Sequence, residues 1–223
     1  MTAFDDLMAY QRDTEALAQI AGRLSWDQET MMPPGSGDQR ADEMAAMEHV
    51  LHGRRTAPSV GEWLARVDGD ALDHVGQAQV RHIRRTFERT RRVPARLAAE
   101  IARITSKGHR VWAEARADDN FALFAPMLKQ IIALKREEGE AVSEGRDLYD
   151  AMLDDYEPGM TGAELSGMFT AMRPRLVALR KAVLDKPRPP AVQGPFDEAA
   201  QMDLAVQVAK VLGYDMARGR LDK

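Results

Sequence analysis

Apolar residues return at three- and four-residue intervals along nearly all of this 223-residue chain, and no convincing stretch shows the period-two alternation of a half-buried strand. The pattern commits the chain to an all-α fold, a multi-helix bundle in which each helix hides one apolar side against its neighbours. Prolines and glycines divide it. The spacing of Leu7, Leu17, Ile20 and Leu24 predicts a first helix from about Phe4 to Leu24. The run from Leu24 to Gly35 reads as a sharp polar-aromatic turn closed by Pro33-Pro34-Gly35, since proline lacks an amide proton and restricts the residue before it.

A second helix is expected from Ser36 or Asp38 to His52 with Gly53 as its stop, then a short third segment from Ser59 through Trp63, closing near Gly69. A long basic helix follows from about Ala71 to Arg92, and Pro94 opens a fifth that runs to Ala117. Asp119 or Asn120 can cap the sixth, whose dense apolar set, Phe121, Phe124, Met127, Leu128, Ile131, Ile132 and Leu134, predicts a core helix. Thr161-Gly162-Ala163-Glu164 has the reciprocal capping pattern and opens a helix reaching Val183. Pro187, Pro189 and Pro190 form a stiff linker to a last helix from Asp197 to Leu212, capped by Gly213.

Length is sufficient for a substantial core, so nothing in the size demands disulfides or a structural metal. The absence of cysteine excludes disulfides, thiolate catalysis and cysteine-held zinc, and makes a reducing cytoplasm the simplest location. The N-terminus is acidic and without an apolar run, against a signal peptide, and no segment approaches the roughly 20 apolar residues of a membrane helix. A net charge of −4 conceals a basic stretch from Arg81 to Arg110, where ten Arg and Lys side chains face only Glu88 and Glu100.

The chemistry-bearing motifs are few. His49 and His52 stand one helical turn apart and could hold a metal with Glu43 or Glu48, yet no glutamate lies between them to act as a zincin base. An ordinary helix-end pair is the plainer reading. The serines include no Gly-x-Ser-x-Gly elbow, and no glycine-rich phosphate loop is present. The arginines from Arg81 to Arg96 could bind an acidic partner or RNA as a non-enzymatic helical module, but Phe87 is their only stacking ring and the overall charge is negative, which disfavours nucleic acid. A solvated or partner-facing surface fits that composition better.

Three blocks carry a family resemblance over nearly the whole chain. They are Leu24-Ser25-Trp26-Asp27-Gln28-Glu29-Thr30-Met31-Met32-Pro33 with Arg40 on the next helix, the run Tyr149 to Thr161, and Leu212-Gly213-Tyr214-Asp215 with Gly219-Arg220-Leu221-Asp222. In that order they resemble the N-terminal portion of the Taq-type (M32) metallocarboxypeptidases. The resemblance implies a helical, cytoplasmic zincin that removes single residues from peptide C-termini, commonly as a homodimer. It also implies zinc or another divalent metal in the full-length protein, held by two histidines and a glutamate, with a further glutamate activating water.

The family's His-Pro-Phe, Asp-x-Arg-x-Thr and His-Glu-x-x-His motifs have no match in this sequence. Residues 1–223 therefore read as an N-terminal helical segment, inactive alone, with no catalytic residue, metal ligand or cofactor of its own. Its expected partner is the missing C-terminal catalytic part. Trp26, Asp27, Tyr149, Asp150 and Glu157 are the candidates for one wall of a substrate groove. The same residues read equally well as structure: Trp26 as a core anchor, Asp27 and Glu29 as caps or buried hydrogen-bond partners, Pro158-Gly159 as a turn.

Overall fold

The computed structural model describes residues 2–221, and among them every regular element is helical. Helix α1 spans Ala3–Thr30 and opens with a capping box, in which Thr2 Oγ1 accepts from the Asp5 amide and the Asp5 carboxylate accepts from the Thr2 amide. The helix does not stop at Leu24. It carries the Trp26-Asp27 block on its last turns, because nothing before Pro33 removes an amide or excludes the helical conformation. The expected turn is thus confined to Met31 through Pro33, and one 3-10 turn, Pro34–Ser36, leads into α2, Gly37–Arg55.

Gly53 is likewise no stop, since α2 passes through it and ends only before Pro58, the first residue of α3, Pro58–Arg66. Proline outranks glycine as a terminator because it forbids the geometry that glycine merely makes less favourable. A short 3-10 turn, Gly69–Ala71, precedes α4, His74–Arg92, whose N-cap Asp73 accepts from the Gly76 amide at 2.8 Å. Pro94 then serves as N-cap to α5, Ala95–Ala117, and Asn120 precedes α6, Phe121–Ser143.

Up to Gly167 the chain is one compact unit. Its most extensive packing joins α2 to α5, followed by α5 against α6. One core gathers Leu7, Val60, Leu64, Val80 and Phe87 from α1, α3 and α4. A second joins Val93 and Leu97 to Val142 and to Ala151 of α7, a short helix at Leu148–Leu153 that the apolar spacing does not reveal. Gly108 lets α5 approach α6 closely, since a Cβ there would lie 2.9 Å from Ile131 Cδ1. Helix α6 is less buried than its composition predicts: Phe121 is 67% and Ile132 42% exposed, and only Gly139, Val142 and Ser143 are buried.

A second unit begins at Met168, within α8, Gly162–Leu184. The capping box that opens α8 is present: Thr161 Oγ1 accepts from the Glu164 amide while the Glu164 carboxylate accepts from the Thr161 amide and hydroxyl. After the proline-rich segment comes α9, Glu198–Val211, capped by Asp197 at its start and followed by Gly213 at φ +88°. No described residue of this second unit is buried. No helix among the described residues is long and apolar enough to cross a membrane.

Candidate functional site

The first block is a lock between helices. Arg40, buried on α2, reaches the last turns of α1, where it donates to the Leu24 carbonyl and pairs with Asp27 Oδ2 at 2.5 Å, while its Nε donates to Glu43 at 2.9 Å. The Asp27 hydrogen bond raises the Arg40 pKa, and Arg40 with Gln39 holds the Glu43 carboxyl below its usual range. The following residues tie the same end of α1 to α5: Ser106 donates to Gln28 Oε1 at 2.5 Å, and His109 Nε2 lies 2.6 Å from Glu29. The side chain of Trp26 is 40% exposed.

The second block is built by α4. Arg85 donates to the Asp154 carbonyl and, at 2.9 Å, to its carboxylate; Arg89 pairs with Asp155. Asp154 also accepts from the Gly159 amide at 2.9 Å, and that bond, with Arg85, lowers its pKa. Asp150 accepts from the Gly162 amide at 2.8 Å and so fixes the start of α8. Tyr149 and Glu157 are exposed, the tyrosine at 67%. Of the five predicted groove residues, then, Asp27 and Asp150 bind backbone and side chains as structural ties. Trp26, Tyr149 and Glu157 present surface, and none of the five lines a cleft described here.

The basic stretch is mostly neutralised from within. Besides Arg85 and Arg89, Arg92 pairs with Glu144, Arg96 with Glu137, Arg103 with Asp42 and Lys107 with Asp38, and Arg91 lies over the Phe87 ring. The acidic partner that such a stripe asks for is this chain's own α2, α6 and α7 region. Nothing remains that favours an RNA-binding module.

A cleft of about 370 Å³ opens between α2, α4, α5 and α6. Glu48, His52 and Arg55 of α2 line it, together with Glu138 of α6 and Ala98 and Ile101 of α5. Burial pushes the Glu48 carboxyl up, Arg55 opposing and Glu138 reinforcing the shift. His52 is committed, its Nε2 lying 2.7 Å from the Val93 carbonyl, while His49 is exposed, so the two histidines do not converge. Among the described residues no group of three or more His, Asp or Glu side chains is placed to hold a metal ion. The catalytic metal implied by the sequence blocks has no fitting site among the described residues. The sequence offers Glu48 and His52 as possible metal ligands or, more plainly, His49 and His52 as a helix-end pair; the spacing of Glu48 and His52 with Arg55 on one side of α2 is the signal of a polar cleft wall.

With that geometry in place, the comparisons are decisive: the model of the carboxypeptidase Taq (M32) metallopeptidases matches residues 6–223. This chain belongs to the M32 family. Thermostable carboxypeptidase 1 of Thermus thermophilus is 37% identical over 99% of this M32 chain, which spans 46% of that relative. The solved structure of BsuCP superposes with a TM-score of 0.89 over the whole chain and 46% of its own, at 23% identity, evidence for the fold. The M32 carboxypeptidase of Deinococcus radiodurans R1 gives a TM-score of 0.78 at 26% identity, over 99% of this chain and 45% of that one. The M32 chain thus covers less than half the length of these relatives.

Proposed function

We propose that these residues form the N-terminal scaffold of a metal-dependent carboxypeptidase that removes single C-terminal residues from peptides, and that they are catalytically silent alone. The carrying observation is the conjunction of a family match over residues 6–223 with the absence, among the described residues, of any metal-holding group. The metal, zinc or another divalent ion, and the water-activating glutamate would then belong to the half of the relatives that this chain does not span.

The second unit supports the reading. Leu176, Leu179, Val183 and Leu184 of α8 and Leu204 and Val211 of α9 are between 50% and 86% exposed. Apolar surface of that extent is normally covered by protein, and the downstream half is its natural cover. The exposed rings of Trp26 and Tyr149 fit a substrate-facing role better than Asp27 or Asp150, whose carboxylates are already engaged. The lack of cysteine supports a cytoplasmic home. The uncovered helices also offer a surface for pairing with a second copy.

The test is hydrolysis of an N-blocked dipeptide, followed by release of the free amino acid in the presence of zinc, cobalt or manganese. The 223-residue chain should release none, and a chimera joining it to the downstream half of the Thermus relative should. Metal-dependent release by the chain alone would overturn the proposal, as would a folded chimera without activity.

A further inference from the structure

The cleft between α2, α4, α5 and α6 has a pattern of satisfied and unsatisfied groups that the scaffold role does not require. Two of its polar side chains are engaged: Arg89 by Asp155 and the Ala151 carbonyl, and His52, through Nε2, by the Val93 carbonyl. Others are not. The Glu48 carboxylate accepts no hydrogen bond from the described residues, and the nearest cation, Arg55 Nη1, lies 3.8 Å away, beyond hydrogen-bonding reach. Arg55 in turn has, among the described residues, no acceptor closer than that carboxylate. Arg85 spends one terminal nitrogen on Asp154, and Glu138 accepts from Lys135 through Oε2 alone.

Both signs of charge therefore line one cavity, together with the apolar side chains of Ala98 and Ile101. The volume of about 370 Å³ lies within the range of ligand pockets, roughly 300–1,000 Å³. A simple anion would meet Glu48 and Glu138, and a simple cation would meet Arg55 and Arg85. A neutral polyol would bring Glu48 no further positive charge, and burial already penalises that carboxylate more than Arg55, 3.8 Å away, relieves it. A molecule with separated opposite charges answers both walls at once.

We propose that this cleft binds a free aliphatic α-amino acid, its ammonium donating to Glu48 and Glu138, its carboxylate accepting from Arg55 and Arg85, and its side chain resting on Ala98 and Ile101. Charge-assisted bonds of this kind are the strong ones, and the bidentate fit of guanidinium to carboxylate supplies orientation. On the reading of the preceding section, which this inference deepens, the ligand is of the class the whole enzyme releases. The cleft would then sense product.

Binding can be tested on the 223-residue chain with no catalysis involved, so it stands or falls separately from the carboxypeptidase reading. L-Leucine is the probe, measured by calorimetry and by thermal unfolding, against N-acetyl-leucine, which lacks the ammonium, and leucinamide, which lacks the carboxylate. At tenfold its Kd, leucine should raise Tm by about 3 °C. Each blocked analogue should bind at least about tenfold more weakly. Glu48→Gln should weaken leucine binding by a similar factor while the free variant unfolds no lower than the parent, and Arg55→Gln gives a second route should that variant misfold. No leucine-dependent shift, equal binding of N-acetyl-leucine, or undiminished binding by both variants would overturn the assignment.

Discussion

Residues 2–167 and residues 168–221 are built from the same kind of helix and hold themselves together in opposite ways. The first region contains every buried residue of the described chain, two apolar cores and a set of ion pairs that join helices far apart in sequence. The second keeps its helices through local devices alone, the caps of Asp197 and Gly213, while apolar side chains such as Leu179, at 60% exposure, face solvent. Local capping fixes where a helix starts and stops. It does not supply the burial from which most helical stability in proteins comes. The difference teaches that a helix in this chain can be fully legible and still depend on something else to be held in place.

The largest expected effects break the comparison most directly. Leu97→Ala, at a fully buried position beside Val142 and Ala151, should cost about 3 kcal/mol in urea unfolding. Leu179→Ala on α8 should change stability by no more than about 0.5 kcal/mol. Similar losses at the two sites would show that the second region is as well packed as the first.

Next in size is the lock between α1 and α2. Arg40→Ala strands two carboxylates and a backbone carbonyl and should cost about 2 kcal/mol, whereas Arg40→Lys keeps the charge, loses the fork, and should cost less. Equal costs would mean the network acts through charge alone.

Acid should then loosen the first region selectively. Glu43 and Asp154 are held below their ordinary values of 4.5 and 3.8, so the unfolded chain takes up protons before the folded one does. Their contribution is complete above those values and is lost as pH falls through the lowered folded-state values. Asp154→Asn should flatten part of the decline measured between pH 5 and 2, and a variant with an unchanged slope would remove Asp154 from the account.

The smallest effect has the opposite sign. Glu48 is raised by burial, so its penalty is absent below about pH 4.5 and grows as pH rises toward neutrality. Glu48→Gln should therefore be slightly more stable than the parent at pH 7 and indistinguishable from it at pH 4. A destabilised variant at neutral pH would show that the Arg55 pairing outweighs the burial.

What the sequence disclosed follows the same division. Proline stops, the Thr161–Glu164 capping box and the helical period are local facts, and they are legible because they act within one or two turns. The extension of α1 beyond Leu24 is not legible because the aromatic and acidic block looks like a turn, though none of its residues before Pro33 breaks a helix. The role of Asp27 required Arg40 on another helix, and the neutralisation of the basic stripe required partners such as Asp154, 69 residues from Arg85. Glu48 and Glu138 come together only once α2, α5 and α6 have packed. Composition carried the charge of these residues and had no means of expressing their proximity.

Amide hydrogen exchange on the 223-residue chain tests the division itself. Amides in the middle of α2 and α5 should exchange roughly a hundredfold more slowly than those in the second half of α8 and in α9, because only the former are sealed by burial. Equal protection across both regions would contradict the account, since it would mean that residues 168–221 are held as firmly as the core without anything further to cover them.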